Sequence, residues 1–232
     1  MPDVATKLFP EDRLATAEQY AAWLAHAGVV RGLIGPREVP RLWGRHILNC
    51  AVLAELIPEG VSVADIGSGA GLPGLVLAIA RPDLRITLIE PLLRRTTFLE
   101  EAVEDLELDQ VTVLRGKAEA FHGKLGFDVV TSRAVAGLGR LLDWSMPLVV
   151  PTGALIAMKG SSIEAEIAEA SAELEEWGCA RPTVSTLGEG LLEATTTAVR
   201  VAWADPAGVD WPPVRRGPQP RSGSRRKGKK RR

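Results

Sequence analysis

The spacing of apolar positions along the chain changes once. Up to about residue 60 it is helical. Leu14, Tyr20, Trp23 and Leu24 fall on one side of a helix predicted from about Pro10 to Ala27, stopping at Gly28. Leu42, Ile47, Leu48, Val52, Leu53 and Leu56 mark a second, opening near Pro40 and ending at Pro58. From Val61 onward short β-branched runs alternate with amphipathic segments. They predict strands over 61–65, 86–90, 111–115, 127–132, 153–158, 183–187 and 196–203, with helices over 74–80, 93–106, 138–146 and 163–177. Near-continuous apolar strands separated by helices belong to a parallel sheet covered on both faces. The last two strands have no helix between them, so an antiparallel hairpin is expected at one edge. The predicted fold is α/β: a helical cap over 1–58, a domain over 59–205 with a seven-stranded, mostly parallel sheet, and a tail over 206–232.

Composition narrows the class. Apolar residues make up 46% of the 232 and charged residues 25%, as in an average globular domain. A chain of this length can bury roughly 70–75% of its unfolded surface, which excludes wholesale disorder, a collagen-like fibre and a disulfide-stapled miniprotein. The N-terminal residues hold no apolar signal run, and the longest apolar stretch, 72–80, contains Pro73 and Gly74. It is far below the roughly 18–20 residues a membrane span needs, so a soluble, cytoplasmic protein without membrane contact is expected. Cys50 and Cys179 stand in unrelated contexts without CxxC spacing, which predicts reduced buried thiols and no metal site.

The net charge of −1 hides an asymmetry. After Trp211 there are ten Lys or Arg and no acid, whereas residues 1–211 carry 18 basic and 29 acidic residues, a net of −11. The tail is rich in Gly, Pro and Ser and is expected to be disordered. Its single sign suits a polyanion, and RNA better than a membrane because no apolar anchor accompanies it.

The most informative stretch is VSVADIGSGAGLPGLVLAIA, which sets Asp65 at a strand end and Gly67, Gly69, Gly71 and Gly74 before a helix. Open α/β sheets bind ligands beyond the carboxyl ends of their strands, and glycine lets a ligand lie against the backbone. Gly69-x-Gly71-x-x-Gly74 matches the dinucleotide fingerprint, a weak signal alone. Counted from Gly67, however, Leu72 stands where the third glycine belongs, and Asp65 would set a carboxylate beside a pyrophosphate. A cationic ligand without phosphate avoids both objections, and S-adenosylmethionine is such a ligand; a purely structural glycine turn is the plainer alternative. Glu90 ends the second strand, 25 residues after Asp65, where an acid can accept hydrogen bonds from both ribose hydroxyls. Lys117-Ala118-Glu119 offers a backbone N–H and a carboxylate where an adenine edge would lie.

Taken together, LWGRHILNC, VADIGSGAGLPG, LIEPLLRRTTFLEE, TSRAVAGL and ALIAMKG, spanning about residues 41–160, resemble the small-subunit rRNA guanine-N7 methyltransferase family, also called glucose-inhibited division protein B. LIGPREVPRLWGRHILNCAV is similar to its actinobacterial members. The resemblance implies a class I, Rossmann-like S-adenosylmethionine-dependent methyltransferase fold. It also implies that Gly67, Leu72, Ala118, Glu119 and Arg133 contact the methyl donor, while Asp65, Gly69 and Glu90 are brought to it by the residue argument as well. Arg94 and Arg95 match a position usually basic; Asn49 departs from the Asp common in the family. The implied partner is 16S rRNA or a small-subunit precursor, the implied target a hairpin loop near the decoding site, and a monomer is expected.

Guanine N7 is already a free lone pair, so its methylation needs no base; holding it in line about 3–3.5 Å from the methyl carbon suffices. N7 lies on the major-groove edge, closed in an A-form helix, which points to a loop. Arg133 is the candidate catalytic residue, orienting either the donor or the guanine; a structural ion pair is the alternative. Arg45 and His46 are expected to face the same cleft, although a lone His is often only a hydrogen-bonded structural residue. Trp43 and Trp144 could stack on a base there, core packing being the plainer reading. Residues 60–120 alone leave open a methyltransferase of small molecules or proteins; the tail and the SRA and MKG matches favour RNA. A dinucleotide oxidoreductase is disfavoured by Asp65 and Leu72. A non-enzymatic RNA binder would be expected to have lost the glycine loop or Glu90.

Overall fold

The computed structural model describes residues 1–133 and 135–215. All seven predicted strands form: β1 (Ser62–Ile66), β2 (Arg85–Glu90), β3 (Val111–Arg115), β4 (Phe127–Arg133), β5 (Val149–Lys159), β6 (Thr183–Leu187) and β7 (Thr196–Ala202). They make one sheet in the order β3-β2-β1-β4-β5-β7-β6. The first five are parallel, and β7 inserts antiparallel between β5 and β6. The edge hairpin expected from the missing helix is therefore present, and the start of β7 lies at the edge where the parallel strands end.

Strand residues alternate between two apolar layers, as the period of two requires. Val63, Ile86, Leu88, Val129 and Ile156 face one layer, shared with α1 (Leu14–Trp23), the segment around α2 (Leu48–Ala51), α3 (Gly74–Ala80) and α4 (Leu93–Asp105). Ala64, Ile89, Val130, Leu155 and Ala157 face the other, under α5 (Leu138–Ser145), α6 (Ile163–Glu169) and α7 (Ser171–Trp177). The first layer includes the helical N-terminal segments, and the buried Tyr20 hydroxyl donates to the Ala70 carbonyl in the glycine loop at 2.8 Å.

Three differences from the sequence reading have local causes. The two N-terminal helices are not uniform: π-turns run over Leu24–Gly28 and Leu42–Ile47, the second preceded by a 3-10 turn and followed by α2 and a further 3-10 turn. The predicted helix over 163–177 is interrupted at Ala170, whose ψ of 14° departs from the helical value, and ends at Gly178 in the left-handed region. Strand β5 starts at Val149, ahead of the expected Gly153, with a register shift against β4 between Phe127 and Val129. A side chain at Gly153 would lie 2.5 Å from the Asp128 carbonyl. Among the described residues no helix is long and apolar enough to cross a membrane. The basic tail beyond Arg215 lies outside the described residues.

Candidate active site

Two cavities open at the carboxyl ends of the parallel strands and share a wall. The first, about 570 Å³, takes Ile66, Gly67, Glu90, Arg95, Ala118, Glu119, Arg133 and Trp144 among its lining. The second, about 820 Å³, takes Arg45, Asn49, Arg133, Lys159 and Thr196 among its lining. Arg133 and Val135 line both.

Main-chain bonds shape the first cavity. The Gly67 N–H donates to the Ile89 carbonyl at 2.8 Å, and its φ of +71° belongs to the left-handed region that suits glycine. A Cβ on Gly67 would sit 3.2 Å from Val135 in the shared wall. The Glu90 carboxylate is 1% exposed and accepts the N–H groups of Gly69 (3.1 Å) and Leu92 (3.0 Å), with Arg95 at 3.5 Å. Glu90 thus ties the glycine loop to the loop after β2.

Asp65 lies beneath this arrangement. It is fully buried, its Oδ2 accepts the Gly74 N–H at 3.0 Å, and its Oδ1 has no partner among the described residues. Burial pushes its carboxyl up to about 7, outweighing the Gly74 N–H and Arg133, which pull it down; Glu90 adds to the rise.

Side chains from distant segments build the second cavity. Arg133 ends β4 and points toward the N-terminal cap: it donates to His46 Nδ1 at 2.6 Å, Cys50 Sγ at 3.4 Å and the Arg45 carbonyl at 3.5 Å. His46 Nε2 lies 3.0 Å from Glu38 Oε2, and Arg45 reaches the same carboxylate. The His46 hydrogen bond holds the Glu38 carboxyl below the usual range, chiefly over the opposing effect of desolvation. Lys159, at the end of β5, donates to the Ala136 carbonyl and to Glu166 Oε2, both at 2.7 Å. Glu166 also accepts the Leu138 N–H, so this pair fixes the loop after β4. Burial would raise the Glu166 carboxyl, but Lys159, Ser162 and Leu138 together hold it below its ordinary value. The Asn49 amide, oriented to donate, meets the carbonyls of Gly44 at 3.0 Å and Ala194 at 3.3 Å, joining the cap to the β6–β7 connection.

Of the residues singled out in the sequence, Gly67, Glu90, Ala118, Glu119 and Arg133 line the first cavity together. Gly69 takes part through its bond to Glu90. Leu72 packs, partly buried, against the apolar layer and is not among the lining residues. Arg45 lines the second cavity and His46 reaches it through Arg133. Trp144 lines the first cavity, whereas Trp43 lies by a separate hollow at the cap. Cys50 is buried and Cys179 only partly so; both thiols are free. Sequence reasoning missed Glu38, Glu166 and the Thr195–Thr197 wall. The last had a topological signal: a final antiparallel strand begins where the parallel strands end.

The matches to known proteins agree with this geometry. The family model described as rRNA small subunit methyltransferase G matches residues 13–193. A Nocardioides protein named ribosomal RNA small subunit methyltransferase G is 63% identical over 231 residues, covering 98% of this chain and 92% of its own. A Streptomyces avermitilis protein of the same name is 55% identical, covering 90% and 88%. Among solved structures, a ribosomal protein L11 methylase from Lactobacillus delbrueckii superimposes with a TM-score of 0.51 at 12% identity, over 67% of this chain and 76% of that one, a likeness of fold alone. With the family model spanning most of its length and relatives this similar, the chain belongs to the rRNA small subunit methyltransferase G family.

Proposed function

We propose that the chain transfers a methyl group from S-adenosylmethionine to N7 of a guanine in a loop of 16S rRNA near the decoding site, in the cytoplasm. The observation that carries this reading is the shared wall: two cavities that each fit a small ligand or one nucleoside adjoin at Arg133 and Val135. Family membership supports rRNA as the acceptor.

The residues of the first cavity suit the donor. Gly67 leaves open a cradle that a Cβ would narrow against Val135, and the Glu90 carboxylate lines the cavity as an acceptor for ribose hydroxyls. Lys117, Ala118 and Glu119 supply main-chain and carboxylate partners for a base edge. When bound, the donor supplies an electrophilic methyl on a sulfonium that leaves as a neutral thioether. Asp65 acts indirectly, holding the start of α3 through Gly74.

The chain's own task is positioning. N7 carries a lone pair and loses no proton, so the site needs to orient the guanine and shield the reacting atoms rather than supply a base. Arg133 sits between the cavities and is the group placed to orient either ligand. Lys159 steadies the loop beside it through Ala136 and Glu166.

Calorimetry with S-adenosylmethionine against NAD tests the donor assignment, and mapping modified guanines in rRNA from cells with and without the gene tests the acceptor. Arg133→Ala is expected to lower methyl transfer at least about 1,000-fold, roughly 4 kcal/mol of lost transition-state stabilisation, with thermal stability nearly intact. Binding of NAD in place of the donor, a map of modified guanines that does not change with the gene, or near-normal turnover of R133A would overturn the reading.

A further inference from the structure

Arg133 reaches the shared wall from the end of β4, and what holds its guanidinium there lies outside the sheet. Of its three hydrogen bonds among the described residues, those to Cys50 Sγ and the Arg45 carbonyl are long, 3.4 and 3.5 Å. The contact to His46 Nδ1 is short, 2.6 Å. Arginine carries donors only, so Nδ1 must be the acceptor, and the imidazole proton must then sit on Nε2, where Glu38 accepts it at 3.0 Å. We propose that His46 is a positioning residue for the transfer: as the neutral Nε2-protonated imidazole it accepts an Arg133 N–H and fixes the guanidinium between the two cavities. This deepens the reading above and rests on it for the role of Arg133.

The local fold supports the role. Residues Leu42–Ile47 form a π-turn, a wider turn often found at functional positions, and it presents Arg45 and His46 together toward β4. The His46 side chain is 14% exposed, so its ring has little access to water as an alternative partner. The charged groups facing it are Glu38, Arg45 and Arg133. Burial and Arg133 favour the neutral ring, Glu38 opposes them, and the net effect lowers the histidine from its ordinary value. Burial holds the neighbouring Cys50 thiol up at about 11, so it stays neutral near pH 7. A second proton on His46 would occupy Nδ1, abolish the acceptor and set two cations face to face.

The two amide substitutions separate the ring nitrogens. In His46→Asn the amide oxygen takes the place of Nδ1; in His46→Gln the amide reaches toward Glu38 and leaves Arg133 without its acceptor. Methyl transfer by the full chain, measured on small ribosomal subunits, is expected to fall about 10–100-fold in H46Q, the size of a lost hydrogen bond to a charged group, and H46N is expected to recover most of it. Wild-type transfer should decline on the acid side of the ordinary histidine range, and that acid limb should be missing in H46N. In the free protein, imidazole ¹⁵N spectra at pH 7.5 should show His46 protonated on Nε2 alone, with the pattern altered by Arg133→Ala. Equal losses in H46N and H46Q, an acid limb that survives in H46N, or a proton on Nδ1 overturns the proposal. A wild type that transfers no methyl group to rRNA would instead sink the functional reading, and the nitrogen spectra would still decide whether the pair exists.

Discussion

The two cavities differ in what holds them open. The first is built by backbone: strand ends, a loop of glycines with positive φ, and main-chain N–H groups closed onto Ile89, Glu90 and Asp65. The second is built by side chains from the cap, β4, β5 and the start of β7, joined by Arg133–His46, Lys159–Glu166 and the Asn49 amide. A wall of backbone is rigid and tolerates little added volume. A wall of side chains can yield or be retuned by single substitutions. This suits a donor of fixed shape on one side and a macromolecular loop on the other.

The sharpest probe of the backbone-built side is Asp65, where the carboxylate that organises the loop is itself costly to ionise. Its folded value of about 7 lies above the 3.8 of an ordinary aspartate, so the folded state binds the proton more tightly. The resulting stabilisation is full below about pH 4 and is lost as pH rises toward 7, by as much as about 4 kcal/mol at about 1.4 kcal/mol per pH unit. Asp65→Asn keeps an oxygen for the Gly74 N–H and removes the charge, so denaturant titrations of wild type and D65N should converge in acid and diverge in favour of D65N by pH 7. Parallel curves over that range would mean that water or a counter-charge reaches Asp65.

A matched pair of glycine substitutions then compares the sides directly. A Cβ on Gly74 would fall 2.3 Å from Leu88 and 2.8 Å from Asp65, both fully buried. Gly74→Ala is expected to cost about 3 kcal/mol, lowering Tm by about 6–12 °C. Gly137 lines the second cavity with φ −61°, and a methyl added there would meet nothing within 4 Å among the described residues, so Gly137→Ala should stay within about 0.5 kcal/mol. Equal losses in thermal melts would erase the distinction.

The same contrast explains how much could be read from the sequence. Asp65, Gly67, Glu90 and Ala118 sit at strand ends within one contiguous stretch, and local pattern alone brings them to one edge. The strand count, the layers and the edge hairpin followed from the same short-range periodicity. The second cavity depends on contacts such as Arg133–His46, 87 residues apart, and Thr196–Asn49, 147 apart, which no local pattern encodes. Glu38 lay in a loop-like GPREVP with no periodicity to mark it, and Pro151 hid the start of β5. Leu72, for which the resemblance implies donor contact, packs partly buried against the apolar layer.

A smaller effect than that of Gly74→Ala falls on the side-chain-built wall at Asn49, which departs from the Asp that the resemblance implies. The amide donates to two carbonyls, Gly44 on the cap and Ala194 before β7, and the main-chain carbonyl of Asn49 accepts the Thr196 hydroxyl at 3.2 Å. A carboxylate in the same place would turn two donations into two repulsions. Because the site is only partly buried, water can relieve part of the conflict, and Asn49→Asp should cost about 1 kcal/mol at pH 7.5. Protonation restores one donor, so the variant's own carboxyl is raised in the folded state and its deficit should shrink as pH falls toward 4. The cap and the β6–β7 connection both contribute to the second cavity, so KM for the ribosomal substrate should rise a few-fold while donor affinity is unchanged. If donor affinity moves with KM, the two walls are mechanically one, and the division between a backbone-held and a side-chain-held cavity fails.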